Sequence, residues 1–171
     1  GITDAYTYLG DDRYLELALN NGNFIVTHLL TEDGKLIHTY SKRKETINGF
    51  LEDYAAVIEG FIGLYEVSFD MFWLTKAALL TEEVDNHCLD EANGLFFFTS
   101  KEDALVVRRT LEVSDNGVPA SNSMMAINLF KLSKFGLASK YAEHSLKMMQ
   151  SMEPAVKEHP ENHANWLLLL L

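Results

Sequence analysis

Cysteine is almost missing from this chain. Cys88 is its single thiol, so no internal disulfide framework and no Cys-x-x-Cys redox pair can form. That usage suits a reducing compartment, and a cytoplasmic protein is the expectation. Basic charge is scarce too: 14 lysines and arginines stand against 25 acidic residues, a formal net charge of −11. Such a surface repels phosphate backbones, and the densest basic run, Lys42-Arg43-Lys44, is too short to reverse this locally. Nucleic acid is therefore not expected as a partner. Long apolar runs are also lacking, since nothing approaches the roughly 18 consecutive residues of a membrane-spanning helix. Leu167 to Leu171 falls far short, and the opening Gly1-Ile2-Thr3-Asp4 lacks the basic-then-apolar order of a secretory leader. There is no Walker loop, dinucleotide fingerprint or nucleophile elbow, and no cofactor is expected.

What is present is a chain of 171 residues with 47% apolar composition, enough for one compact core. Its periodicity is helical. After Asn48, a plausible N-cap, Phe50, Tyr54, Val57, Phe61 and Leu64 recur at steps of three and four, one face of a helix. Asp12 and Asp70 each open a further helical segment with an aromatic two residues on, Tyr14 and Phe72. Each segment then reaches a turn, Asp33-Gly34 or Asn93-Gly94, followed by a short extended stretch, KLIHTY or LFFFTS. This is an internal repeat. A third unit follows Pro119, with Met125, Leu129 and Leu132 on one side of its first helix. Its second helix is expected to bury Leu137, Tyr141, Leu146 and Met149 and to close at Pro154. A last helix begins after Pro160. Because no such pair can bury its apolar face alone, the hairpins must stack, with their connectors gathered at the ends.

The ordered motifs GFLEDYA (49–55), GLFFFTS (94–100) and LVVRRTLEVSDNGVPASNS (105–123), followed by MMAINLFKLSKF, resemble the helical part of the thioredoxin-domain-containing YyaL and spermatogenesis-associated protein family. The match covers most of the chain. Three departures from the family pattern stand out: Glu52 replaces the first acid of an Asp pair, Asn116 is inserted in an Asp-Gly step, and Ala120-Ser121 replaces Ser-Gly. The resemblance implies an all-α fold, a partial (α/α) toroid of antiparallel helix hairpins with short β-hairpin-like stretches at one end, related to six-hairpin glycosidases and sugar epimerases. Family members also carry a thioredoxin-like domain and a full ring. Neither is found here, so residues 1–171 are expected to be a single domain and a fragment of a longer toroid.

Two groups of residues are candidates for chemistry. Asp53 shares the shoulder of the buried stripe, where a carboxylate beside aromatics can serve as general acid or base or bind a sugar hydroxyl. It can equally bond to a loop amide and hold two units together. Tyr54, beside it, is a candidate for binding the substrate. The second group is the run from Arg108 to Ser123, in which Arg108 or Arg109 can grip a carboxylate while Glu112, Asp115, Ser121, Asn122 and Ser123 offer partners to a polyol. Asp115 joins Asp53 as a catalytic candidate. Near a helix start, however, such side chains also cap backbone amides without any ligand.

Other constellations carry less. His159 and His163 stand four apart around Glu161, but Pro160 makes this a helix entrance without a third ligand, so no metal is expected. His38 and Tyr40 either face the pocket or form a half-buried strand pair. His87 and Cys88 are adjacent on a helix and point about 100° apart, so Cys88 reads as core. Alternation in LFFFTS buries at least one of Phe96, Phe97 and Phe98, and an exposed one would stack a sugar. Two functions remain open: a carbohydrate-binding or glycosidase- or epimerase-like domain with a polar cleft, or a non-catalytic scaffold beside a thioredoxin-like partner. Bare hairpin faces predict self-association.

Overall fold

The structure is a computed structural model that describes residues 1–40, 47–103 and 109–170. Both Lys42-Arg43-Lys44 and Arg108 lie outside the described residues. Helix starts are set by side chains that satisfy the first free amides. In α1 (Ile2–Leu9) and α2 (Asp12–His28), the second helix is capped by Asp11, whose carboxylate accepts the Arg13 N–H at 3.0 Å. In α3 (Leu51–Ser68) and α4 (Met71–Cys88), Asp70 does the same for the Phe72 N–H at 2.9 Å. α2 does start at Asp12, as expected, but the capping residue that corresponds to Asp70 is Asp11, so the repeat pairs Asp11 with Asp70. Asn48 does not cap α3. It bridges Ile37, and Asp53 instead reaches back from the third helical position to the Phe50 N–H at 2.8 Å.

The third hairpin is α5 (Ser121–Lys134) with α6 (Ser139–Glu158), followed by a 3-10 turn at Pro160–Asn162 and the short α7 (Ala164–Leu168). Pro154 does not end α6. It is exposed, so the carbonyl deprived of its N–H partner is on the solvent side, while Met152 and Val156 anchor the helix in the core on either side. The buried stripe of α6 is Tyr141, Ser145, Met148, Met152 and Val156. Leu137 and Leu146 are exposed, contrary to expectation, and Met149 is half-buried. The polar Ser145 takes an inner place because its hydroxyl donates to the Ala126 carbonyl of α5 at 2.8 Å.

Each hairpin packs on itself, and the first helix of each also touches the first helix of the next: α1 on α3, α3 on α5, α5 on α7. These form an inner row, with α2, α4 and α6 behind it. Tyr54, Phe61 and Leu64 of α3, Trp73, Leu74, Leu80 and Val84 of α4, and Met125, Leu129 and Leu132 of α5 form one continuous core. Burial of side chains this size stabilises by about 1.5–3 kcal/mol each. The turns joining the helices of one hairpin are short and lie at one end of the row, so the long connectors lie at the other. The connectors contain isolated bridges, Leu30 with Leu36, Ile37 with Asn48 and Leu89 with Phe96. Gly34 and Gly94 sit at their turns with φ of 86° and 77°, which L side chains rarely adopt.

Candidate functional site at the connector end

The connectors meet where α3 and α5 begin. Leu51 N–H donates to the Phe98 carbonyl at 2.9 Å, and Phe98 N–H donates to Thr110 at 2.9 Å, so three chain segments lie side by side. The rings of Phe50 and Phe98 stack with centroids 5.3 Å apart. Phe96 is fully buried, so at least one of the three phenylalanines is core as expected, but Leu95 beside it is buried too and Phe97 and Phe98 are both half-buried, so the run does not alternate strictly.

The run ending at Ser123 is knitted to itself and to the helix starts. Asn122 is buried; its Oδ1 accepts the Phe96 N–H at 2.7 Å, and its Nδ2 donates to the carbonyls of Phe96 and Glu112, both at 2.9 Å. The Glu112 carboxylate accepts the Ser121 N–H at 3.0 Å. Asp115 accepts from Ala120 N–H at 2.8 Å, from the Ser123 hydroxyl at 2.9 Å and from Asn165 N–H at 2.8 Å. One carboxylate therefore serves the amino-terminal ends of both α5 and α7, where free N–H groups and the helix dipole favour negative charge. Trp166 Nε1 adds a bond to the Val113 carbonyl at 2.8 Å. Among the described residues the buried Ser121 hydroxyl has no partner, nor does Arg109 Nε, although Arg109 Nη2 donates to the Lys101 carbonyl at 2.5 Å.

Asp53 is differently placed. Its Oδ2 accepts from Phe50 N–H and lies 2.8 Å from His38 Nδ1, and the His38 ring leans on Phe50 at 4.9 Å. Glu52, next to it, is exposed. Tyr54 points inward, accepting the Leu36 N–H at 2.9 Å, and desolvation raises its phenol to about 12. Tyr54 lines a cavity of about 180 Å³ with Lys35, Gly49, Glu83, His87 and Cys88. A larger cavity of about 400 Å³ lies between α1, α2 and α3, and no candidate site residue lines it.

His38 and Tyr40 do not act as a pair. Tyr40 leaves for Phe24 and His28, with centroids 5.3 and 5.1 Å away. Cys88 is buried core, its thiol pushed up to about 12 chiefly by desolvation, while His87 lies between Glu83 at 3.5 Å and Glu102 at 3.3 Å. His163 is buried with Nδ1 2.8 Å from the His159 carbonyl, whereas the exposed His159 ring faces Glu161 at 3.4 Å. No cluster of three metal-ligating side chains occurs among the described residues. No helix among them is long and apolar enough to cross a membrane.

Sequence spacing brought Asp115, Asn122 and Ser123 together because they are close along the chain. It did not indicate the bond from Asp53 to His38, fifteen residues apart, nor those from Asn122 to Phe96 and from Asp115 to Asn165. Only the reciprocal placement of Asp53 at the third position of its helix could have suggested the bond to Phe50.

No protein-family model matches the chain. It is 34% identical to human spermatogenesis-associated protein 20 over 137 residues, 74% of this chain, and 31% identical to the rat protein of that name over 142 residues, 77% of this chain. The chain spans only 17% and 18% of the length of these relatives. In structure it resembles a GH76 α-mannanase from Bacteroides thetaiotaomicron, with a TM-score of 0.71 and 17% identity over 90% of this chain and 41% of that one. It also resembles an unsaturated glucuronyl hydrolase from Bacillus sp. GL1, with a TM-score of 0.63 and 15% identity over 88% of this chain and 43% of that one. By sequence the chain belongs to the spermatogenesis-associated protein 20 family, and its fold is that of the (α/α) toroid glycosidases.

Proposed function

We propose that the connector end is a carbohydrate-binding rim, with Asp53, His38 and the Phe50–Phe98 stack as the groups offered to a sugar. The observation that carries this is their convergence: a carboxylate, an imidazole and a stacked aromatic pair at the start of an inner helix, in a fold shared with enzymes named for carbohydrate hydrolysis. Such a site combines polar groups for hydroxyls with an aromatic face for the sugar ring. Asp115 and Asn122 act as the frame in this reading, since their hydrogen-bonding capacity is spent on helix starts and on Phe96.

Thermal unfolding with mono- and disaccharides tests the proposal. A sugar at about ten times its Kd stabilises the native state by about 1.4 kcal/mol, a rise of roughly 3–6 °C for a chain of this length. Absence of any rise across the panel would refute a sugar rim. A second reading, a non-catalytic scaffold, is favoured by the internal bonding of Glu112, Asp115, Asn122 and Ser123. It predicts no sugar response.

We also propose that residues 1–171 are one segment of a longer toroid. Exposed Phe24, Phe72, Leu79, Phe130 and Leu168 then drive self-association of the isolated segment. Sedimentation of a single monomeric species across concentrations would overturn this. A cytoplasmic location accords with the lone buried thiol.

A further inference from the structure

Building on the sugar rim, we propose that His38 is its proton-transferring residue, acting on the anomeric hydroxyl of a reducing sugar, with Asp53 as the positioning residue that fixes the imidazole. Nδ1 of His38 lies 2.8 Å from Asp53 Oδ2, and the same oxygen accepts the Phe50 N–H at 2.8 Å. A carboxylate only accepts, so Nδ1 carries the proton and the lone pair of the neutral ring is on Nε2. The amide of Phe50, the residue that caps α3, holds the carboxylate, and the ring leans on Phe50, itself stacked on Phe98. A loop imidazole is thereby fixed in tautomer and orientation while 35% of its side chain remains accessible. His144 and His163 serve otherwise: each places a ring nitrogen 2.8 Å from a backbone carbonyl, of Gly94 and His159, which is ordinary structural use.

One oriented base suits ring opening better than glycosidic cleavage. Cleavage requires an acid and a second free carboxylate about 5–9.5 Å apart, whereas Asp115 already accepts from three donors. In ring opening, Nε2 takes the proton of the anomeric hydroxyl as that oxygen becomes the aldehyde carbonyl. The bond from the anomeric carbon to the ring oxygen breaks, its electron pair stays on the ring oxygen, and that oxygen takes a proton from water. The resulting hydroxide removes the proton from His38, so no other reactant is consumed. Reclosure on either face interconverts the anomers.

The test follows anomer interconversion of D-glucose, D-mannose and D-glucuronic acid by polarimetry, with saturation-transfer NMR reporting binding separately. The protein is expected to accelerate interconversion of a sugar it binds. His38→Ala should remove about a hundredfold of that acceleration, the scale of a positioned base, with partial recovery on adding imidazole above its own background. His38→Gln, whose side chain fills the space that imidazole would enter, should lose rate without recovery by added imidazole, and Asp53→Asn should lower kcat more than it changes KM. A sugar that binds without acceleration, or full acceleration in a folded His38→Ala or His38→Gln protein, overturns the proton-transfer role and leaves the rim standing. No binding by any sugar removes the rim and this inference with it.

Discussion

Replacing Asn122 with alanine should cost far more than the loss of an ordinary polar side chain. The residue is fully buried, and its amide satisfies three backbone groups at once: the N–H and carbonyl of Phe96 and the carbonyl of Glu112, at 2.7 to 2.9 Å. Alanine offers none of these side-chain bonds; the backbone N–H at position 122 still reaches the Glu112 carbonyl at 3.3 Å, but Phe96 is itself fully buried, so water cannot readily replace the two bonds to it. Each buried polar group left unsatisfied costs about 1–3 kcal/mol, and partial relaxation makes about 3–5 kcal/mol a fair expectation for the set. At roughly 2–4 °C per kcal/mol for a chain of this size, the melting temperature should fall by about 6–20 °C. Urea unfolding followed by circular dichroism measures the difference directly, provided that the denaturant dependence is unchanged. A loss below about 1 kcal/mol would mean that Asn122 does not clamp the connector, and the account of the frame would fail.

Other consequences follow from packing and burial. A Cβ added at Gly22 would lie 2.5 Å from Leu64 Cδ1 and 2.8 Å from Trp73 Cη2, so Gly22→Ala should destabilise by about 1–3 kcal/mol through displacement of α2 from α3 and α4. A neutral or stabilising result in denaturant unfolding would show that the rings move freely. Desolvation raises the Cys88 thiol and the Tyr54 phenol from 9.0 and 10.0 to about 12. Because the folded state holds these protons more tightly, their contribution to stability is complete below about pH 9 and declines as pH rises towards 12. Unfolding midpoints should therefore fall through this window, and Cys88→Ser with Tyr54→Phe should flatten the fall; an unchanged alkaline slope in the double variant would assign it to other groups.

Much of the fold was legible before any coordinates, because helix periodicity, Gly-containing turns and acidic caps are local properties of the chain. The stripe from Tyr54 to Leu64 and that from Met125 to Leu132 occupy the faces the spacing predicted. Local patterning misplaced what depends on distant neighbours. Pro154 lies inside α6 because the core holds the helix on both sides, and Ser145 displaces leucines from the inner face because the Ala126 carbonyl waits opposite it. In the candidate site, residue types alone established that acids, amides and hydroxyls cluster before α5. Only the tertiary structure decided their partners, giving Asp115 to two helix starts and Asp53 to His38, since those bonds join segments separated along the chain but adjacent in space.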